Sequence, residues 1–147
     1  MPKTWFELPP DQSATTLFVT WRDPRGEEAG VFPIPFDPDQ ALRASLKNIL
    51  RDTSTAWLAF GGDGKPLVYF THLFSYRCAI KEAKYGVNDS AVTTLVKFPP
   101  CDPADPYSVG EDTSEMYKAL PAKAKSVSLE LTFYDGEKSG VKVFGVK

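Results

Sequence analysis

The sequence predicts a mainly β (α+β) fold: an antiparallel, β-sandwich-like domain with one amphipathic helix, at about residues 38–52, packed on it. Several short stretches alternate apolar and polar residues, which is the pattern of strands that bury one face. Aromatic residues make up 13% of the chain and there are 13 prolines. That combination favours strands and rigid loops over a helix bundle. One stretch alone has a clear helical period.

The length of 147 residues fits one compact domain. A division is also possible, into a hairpin–helix–hairpin part at 1–74 and an immunoglobulin-like sandwich half at 75–147. The net charge of −2, with basic residues scattered along the chain, gives no long-range attraction for phosphate groups. We therefore expect no nucleic-acid partner.

The N-terminus gives no sign of membrane targeting. Met1–Gln12 lacks the apolar core of a signal peptide, and no apolar run approaches the roughly 20 residues of a membrane span. We expect a soluble, cytoplasmic protein with no membrane partner. Trp5 and Phe6 lie in this stretch; we expect them to pack onto the body of the protein, with docking onto a partner as the alternative.

The first hairpin is predicted from two apolar stretches. Thr15–Arg22 alternates as a strand, and Phe18 makes its second face partly apolar as well. The returning stretch, Val31–Phe36, contains Pro33 and Pro35, which cannot donate ladder hydrogen bonds. This predicts an edge strand that is protected against pairing with other chains.

The helix is predicted to begin at Pro38, with Asp37 as its cap and Gln40 in the capping-box position. It should end at about Asp52. One stripe of the helix is apolar, namely Leu42, Leu46, Ile49 and Leu50. We expect this stripe to pack on the sheet, and a membrane-surface helix is the weaker alternative.

A second hairpin is predicted from Thr55–Phe60 and Pro66–Phe74, with Gly61–Lys65 as its turn. A phosphate-binding loop is not favoured there, because no helical stretch and no Lys-Ser/Thr pair follow the glycines. Tyr76–Val87 predicts a strand with a β-bulge between Ile80 and Ala83, with a helix over Cys78–Lys84 as the alternative.

The remaining elements are a strand at Ala91–Phe98, a long loop through Ser114, a helical turn at Ser114–Ala119 and a final hairpin at Lys125–Phe144. In the final hairpin, Val141 and Val143 should resume the apolar alternation. Asp135-Gly136 suggests a tight turn in which both residues have φ > 0.

The C-terminal half resembles immunoglobulin-like and fibronectin type III-like β-sandwich modules. The resemblance rests on the order of Tyr85–Asp89, a Leu-Pro pair and spacer, the strand Ser126–Tyr134, the Asp-Gly turn and the short strand Val141–Phe144. The Trp between paired cysteines of antibody domains is absent. By analogy, the resemblance implies a recognition or scaffolding role.

One catalytic arrangement is conceivable. His72 is the single histidine, and with Cys78 it forms the one possible base and nucleophile pair. Neither residue lies in a nucleophile motif, so a core or interface histidine is favoured. We expect Cys78 and Cys101 to be two buried thiols, with a disulfide as the alternative.

Two kinds of ligand site are conceivable, and for each an ordinary structural role is the alternative. Asp102, Asp105, Glu111 and Asp112 concentrate carboxylates that a calcium ion could use, but their spacing fits no EF-hand and Asp-Pro pairs suit turns. Aromatic residues that could stack on sugars also fit core positions. These are Trp21, Trp57, Tyr69, Tyr76 and Tyr85.

The sequence thus favours a non-catalytic protein–protein interaction module: an accessory, adaptor, inhibitor or assembly subunit. It predicts another protein as the partner, with a homo-oligomer also possible, and no cofactor or metal. The candidate contact residues are Trp5, Phe6, Val31, Phe32, Ile34 and Phe36. This hypothesis requires at least one exposed apolar patch. A carbohydrate- or calcium-binding module is the first alternative, and a small enzyme using His72 and Cys78 the second.

Overall fold

A computed structural model describes residues 15–146, so the prediction for Trp5 and Phe6 lies outside the described residues. The strands are β1 (Thr15–Arg22), β2 (Glu28–Phe36), β3 (Ala59–Gly61), β4 (Leu67–Tyr69), β5 (Ile80–Val87), β6 (Thr94–Leu95), β7 (Tyr117–Ala119), β8 (Ser126–Phe133) and β9 (Lys142–Gly145). The α-helices are α1 (Pro38–Asp52) and α2 (Thr71–Ser75), and single 3₁₀ turns occupy Ser54–Ala56 and Arg77–Ala79.

These strands form three antiparallel sheets: β1-β2, β3-β4-β7 and β6-β5-β8-β9. The prediction of a mainly β, α+β fold with one long helix is therefore confirmed. The β-sandwich arrangement stays a prediction. The chain divides into two compact units, Met1–Ala41 and Leu42–Lys147. The single domain and the possible division after residue 74 also stay predictions.

The first unit contains the β1–β2 hairpin, which the sequence predicts closely. Thr15 pairs with Phe36, and the register continues to Thr20 opposite Val31 before a bulge leads to the Arg22–Glu28 pair. In the sheet described, β2 pairs with β1 alone. The edge-strand prediction is therefore confirmed.

Helix α1 has the predicted bounds and the predicted cap. The Asp37 carboxylate accepts hydrogen bonds from the N–H groups of Asp39 (3.1 Å) and Gln40 (3.3 Å). These bonds satisfy donors that the first turn of a helix leaves unpaired. On the predicted apolar stripe, Leu46 and Leu50 are fully buried, while Leu42 and Ile49 are partly buried against the same core.

The core of the second unit lies between α1, α2 and the strands. In β8, the alternating residues Val127, Leu129, Leu131 and Phe133 are buried as predicted, and Ser128 on the other face is buried as well. The largest fully buried side chains include Trp57, Phe70, Phe74, Leu46, Leu50, Leu73, Leu129 and Leu131. The polar group of the buried Trp57 side chain is satisfied inside this core, because its ring N–H donates to the Leu50 carbonyl at 2.8 Å.

The strand β5 contains the predicted bulge. Its register against β8 shifts between Ile80 and Glu82, just where the apolar parity of the sequence changes. The strand begins only at Ile80, because Arg77–Ala79 forms a 3₁₀ turn. The alternative of a helix through Lys84 is wrong.

Several predicted elements differ from the observed ones. Thr71–Ser75 is helical rather than part of a strand, and the β3–β4 hairpin is shorter than predicted. Ser114–Ala119 is not a helical turn: Tyr117–Ala119 pairs with β4. In the predicted strand Ala91–Phe98, only Thr94–Leu95 is extended and paired. At Tyr117–Ala119, pairing with a distant strand overrides a weak local preference.

The final hairpin forms, but its turn differs from the prediction. Gly136 has φ 87°, whereas Asp135 is not among the described residues with positive φ. Asp135 instead uses its carboxylate, which accepts the Glu137 N–H at 2.9 Å. In β9, Phe144 packs toward the core and Val143 is exposed, which is the opposite parity to the one predicted.

Candidate interaction surface

The β1–β2 hairpin carries most of its apolar side chains in an exposed state. Phe18 is 69% exposed and Trp21 is 52% exposed. The exposed large apolar residues of the hairpin are Phe18, Val19, Trp21, Val31, Phe32 and Ile34. Contiguous exposed apolar side chains of this kind mark interaction surfaces.

The strand register divides these residues between two faces. Directly paired residues share a face, so Leu17 lies beside Ile34 and Val19 beside Phe32. The Trp21 face consists of Thr15, Leu17, Val19, Trp21, Phe32, Ile34 and Phe36. The Phe18 face consists of Thr16, Phe18, Thr20, Val31, Pro33 and Pro35. Both faces are predominantly apolar.

The two edges of the hairpin differ in what they offer to a further strand. At the turn, the Asp23 N–H donates to the Glu27 carbonyl at 2.9 Å. From that bonded pair, N–H groups alternately point to the partner strand and away from it, and the bulge opposite Trp21 preserves the alternation. By this alternation, the N–H groups that point away from β2 between Thr15 and Trp21 are those of Thr16, Phe18 and Thr20.

The register places Pro35, Pro33 and Val31 opposite these residues. Proline is tolerated at such positions because its missing N–H would have pointed away from the partner strand. The outer edge of β2 consequently lacks donors at Pro33 and Pro35. The outer edge of β1 keeps its donors and acceptors.

Charge lies at the turn of the hairpin. Arg22 and Glu28 form an exposed ion pair of 3.9 Å beside the turn. Thr15–Trp21 and Val31–Phe36 contain no ionisable side chain. Among the described residues, the Thr15–Trp21 stretch of the β1 edge therefore lacks two of the usual protections against pairing with another strand, namely charge and proline.

The predicted contact residues lie partly on this surface. Val31, Phe32 and Ile34 are exposed, whereas Phe36 is half-buried. Val31 lies on the opposite face from Phe32 and Ile34. Sequence reasoning missed Phe18 and Trp21 as contact candidates. The apolar second face of β1 was a signal for Phe18 alone, and the alternating pattern gives the exposure of neither residue.

The conceivable thiol site does not form. Cys78 is bonded to Cys101 in a disulfide, and there is no free cysteine among the described residues, so the expectation of two thiols is wrong. A disulfide sulfur supplies no thiolate nucleophile. His72 instead shares a 2.9 Å hydrogen bond with the Thr53 hydroxyl and packs edge-on against Tyr76. Burial lowers the pKa of His72, which favours the neutral ring.

The loop that follows Phe98 is fixed by a buried arginine. Arg77 is 4% exposed, and its guanidinium donates to the carbonyls of Phe74 (3.0 Å) and Pro100 (3.0 Å). It also donates to the carbonyls of Pro99 and Ser108. A buried cation that is hydrogen-bonded in this way holds the loop against the body of the second unit.

The carboxylates of this loop make local backbone contacts. Asp102 accepts the Ala104 N–H at 3.0 Å and Asp112 accepts the Ser114 N–H at 2.9 Å. Hydrogen bonding from Ser114 lowers the pKa of Asp112. Residues 15–146 contain no group of three or more potential metal-ligating side chains. The placement of Asp105 and Glu111 therefore adds no support for a calcium site.

The aromatic residues considered for sugar stacking do not share one surface. Trp57 is 1% exposed and belongs to the core, whereas Trp21 is exposed on the hairpin. Tyr69 pairs with Tyr117 at a ring distance of 6.1 Å, and Tyr85 packs on Phe70 at 5.2 Å. Tyr76 packs between His72 and Tyr107. These contacts fit structural packing.

Two open clefts of the second unit also lack paired catalytic groups. One, of about 630 Å³, is lined by Lys81, Lys97 and Lys138 with Glu82 as its single carboxylate. The other, of about 640 Å³, lies beside β3 and β9 and is lined by Leu58, Phe60 and Phe144 among others. Neither lining brings two carboxylates or a histidine together, so neither provides an acid–base pair.

Comparison of the chain with models of known protein families, with curated proteins and with solved structures found no match. Among the residues described, no helix is long and apolar enough to cross a membrane. The exposed apolar faces of the hairpin are therefore the structural feature that bears on function.

Proposed function

We propose that the protein is a non-catalytic protein–protein interaction module whose contact element is the β1–β2 hairpin, Thr15–Phe36. The observation that carries this proposal is the exposure of apolar side chains on both faces of the hairpin. A partner that covers them would remove aromatic and branched side chains from water, the main source of favourable free energy in association.

The size of the sheet supports the same proposal. An isolated two-stranded hairpin is marginally stable in water, and independent stability requires more strands or a packed layer. β1 and β2 form a sheet of two strands among the described residues. The partner chemistry that fits is a protein that presents a strand edge to β1, because backbone hydrogen bonds extend the sheet and side-chain contacts give specificity.

The biological role within this class is that of an accessory, adaptor, inhibitor or assembly subunit. The cytoplasmic location and the immunoglobulin-like character of the C-terminal half remain predictions. The Cys78–Cys101 disulfide weighs against the cytoplasm, since disulfides persist mainly in oxidising compartments. Alkylation of free thiols before cell lysis, followed by mass measurement, decides the redox state of this pair in the cell.

Quantitative affinity capture with matched variants tests the proposed contact element. The first variant combines Val19→Thr with Phe32→Thr, which removes apolar surface from the Trp21 face and keeps β-propensity. The control combines Val141→Thr with Val143→Thr, which removes exposed apolar surface from the second unit. A protein recovered in stoichiometric amount by wild type and control, and lost with the hairpin variant, is the expected result.

The captured protein is then purified and its binding reconstituted with wild-type chain and both variants. We expect the hairpin variant to weaken binding at least about tenfold, because each buried large apolar side chain contributes about 1.5–3 kcal/mol. The proposal is contradicted if every stoichiometric partner, a second copy of this chain included, binds the hairpin variant as well as it binds wild type.

A further inference from the structure

The open edge of β1 has a chemical symmetry that bears on its partner. Reading from Thr16 to Thr20, the side chains are Thr, Leu, Phe, Val and Thr. The stretch is therefore a near-palindrome by residue class, centred on Phe18. An isologous two-fold contact places the same surface of both copies together, so a strand pairs well with its own copy when its pattern reads alike in both directions.

We propose that the protein forms a two-fold dimer in which β1 of one copy pairs antiparallel with β1 of a second copy, with Phe18 facing Phe18. This inference rests on the proposed function and names its partner as the chain itself. In this register Thr16 faces Thr20 and Leu17 faces Val19 of the other copy. Threonine pairs and apolar pairs directly across antiparallel strands are stabilising.

The backbone geometry favours this register. Between Thr15 and Trp21, the N–H groups that β1 directs away from β2 belong to Thr16, Phe18 and Thr20, and pairing about Phe18 sets these residues opposite one another. Residues that face each other in this way exchange both N–H···O bonds. Pairing centred between Phe18 and Val19 would oppose outward-directed groups to inward-directed ones and form no ladder.

The alternative edge is closed to a second copy. Pro33 and Pro35 remove donors from the outer edge of β2, so a β2–β2 ladder would lose bonds at both positions. Pairing at β1 gives the strand order β2-β1-β1-β2. Four strands with a shared apolar face meet the requirement for an independently stable sheet.

Charge presents no obstacle to self-pairing. Between Thr15 and Trp21 there is no ionisable side chain, so the dimer opposes no like charges within that stretch. The Arg22–Glu28 ion pair lies beyond it, beside the turn of each hairpin. The same neutrality leaves association weakly dependent on ionic strength, which is a property that salt titration measures.

Cysteine cross-linking tests the register. The native cysteines form a disulfide, and the described residues contain no free cysteine. An introduced cysteine is therefore the thiol that reacts. In a hydrogen-bonded antiparallel pair the Cα atoms lie about 5.5 Å apart, within the range of a disulfide. Phe18→Cys should therefore give a disulfide-linked dimer under mild oxidation.

Two further cysteine variants are the matched controls. In the proposed register Thr20 lies opposite Thr16, and the two copies of Thr20 are about 13 Å apart along the strands. Thr20→Cys alone should form no cross-link, whereas a mixture of Thr16→Cys and Thr20→Cys chains should. Cross-linking of Val19→Cys with itself but not of Phe18→Cys overturns the register.

Proline substitution tests the edge without breaking the hairpin. Phe18→Pro removes an N–H that points away from β2, as Pro33 and Pro35 already do in the opposite strand. It should weaken self-association at least about tenfold relative to Phe18→Ala, because the two-fold contact loses the bonds of its central pair. Amide exchange at Leu17 and Val19, whose N–H groups face β2, verifies that the hairpin persists in both variants.

Light scattering across a dilution series completes the test. Concentration-dependent dimerisation that Phe18→Pro abolishes supports the inference. Wild type that stays monomeric at every concentration, with no Phe18→Cys cross-link, overturns it. In that case a different protein whose capture depends on the hairpin still supports the proposed function, and the absence of any hairpin-dependent partner contradicts both.

Discussion

The hairpin β1–β2 and the strand β8 share a sequence pattern and differ in what covers them. In β8, Phe133 ends an alternating series of buried residues and is 2% exposed. In β1, Leu17, Val19 and Trp21 alternate in a similar way, yet Trp21 is 52% exposed, and Phe18 on the other face is 69% exposed. Strand β8 is flanked by β5 and β9, whereas β1 pairs with β2 alone among the residues that the structure describes.

Alternation therefore predicts a strand but not the layer that covers it. A period of two reports which residues share a face, and it holds equally for a face covered by the same chain or by another one. The apolar residues of β8 stabilise the fold itself. We propose that those of the hairpin stabilise an association instead.

The largest expected effect is the difference in stability between two phenylalanine truncations, one in each region. Phe133→Ala should lower the free energy of unfolding by about 3–5 kcal/mol, because it removes a fully buried ring and leaves a cavity. Phe18→Ala should change it by less than about 0.5 kcal/mol in dilute solution, since the ring is already in water. Urea denaturation of both variants measures the difference.

Equal destabilisation by the two substitutions would contradict the comparison. It would mean that Phe18 is covered by the chain to which it belongs. The dilution of the protein in this measurement is essential, because association through the hairpin would itself add stability by mass action.

The second effect concerns the buried arginine. Arg77→Met keeps the apolar volume but removes the donors to the loop carbonyls, and we expect a loss of about 3 kcal/mol. Arg43 is the matched control, because it lies on the exposed side of α1 and stacks 4.1 Å from the Tyr134 ring. Arg43→Met should cost less than about 1 kcal/mol. Thermal unfolding ranks the two variants, and the reverse order would refute the role assigned to Arg77.

Reduction of the Cys78–Cys101 disulfide should lower the free energy of unfolding by a similar amount. The bond closes a segment with a sequence separation of 23 residues. The chain-entropy argument then gives about 3 kcal/mol for the unfolded state. Urea midpoints with and without a reductant measure the change, and Cys78→Ala/Cys101→Ala should behave like the reduced protein. No shift of the midpoint would show that the bond adds nothing to stability.

The smallest effect comes from the ion pairs between α1 and the β8–β9 turn. Lys47 donates to Asp135 at 2.5 Å and to Glu137 at 2.8 Å. The hydrogen bond from Lys47 is the main cause that lowers the pKa of both carboxyls from their usual 3.8 and 4.5. The bond to Asp135 likewise raises the pKa of Lys47 above 10.5.

The sign of the pH dependence follows from these directions. The carboxylates contribute stability that is fully present above their ordinary pKa values and is lost as the pH falls through the lowered values. Lys47 contributes stability that is present below 10.5 and is lost as the pH rises through its raised pKa. The double variant Asp135→Asn/Glu137→Gln should have a slightly lower melting temperature than wild type at neutral pH. At acidic pH the two melting temperatures should differ little. A difference that grows on acidification would contradict this assignment.

Much of the local structure can be predicted from the sequence. The bounds of β1 and α1, the Asp37 cap and the bulge in β5 follow from short-range signals. Elements held by distant pairing cannot be predicted in this way. Strand β7, for example, exists because Tyr117–Ala119 pairs with β4, and its own residues carry no strong preference.

The candidate surface could be predicted in part. Pro33 and Pro35 indicate an edge in sequence, and the apolar neighbours Phe32 and Ile34 follow from them. The exposure of Phe18 and Trp21 could not be deduced, because alternation alone does not say what covers a strand. The same limit applies to Arg77, whose carbonyl partners are distant in sequence.

Amide hydrogen exchange in β1, resolved by residue and measured at low and high protein concentration, reports directly whether the outer edge of β1 pairs with a further strand. The N–H groups of Leu17 and Val19 face β2 and should be protected at both concentrations. Those of Thr16, Phe18 and Thr20 should exchange rapidly in dilute protein and become protected as the concentration rises. Rapid exchange of these three amides at every concentration, and also with each reconstituted partner, would show that the β1 edge takes no further strand.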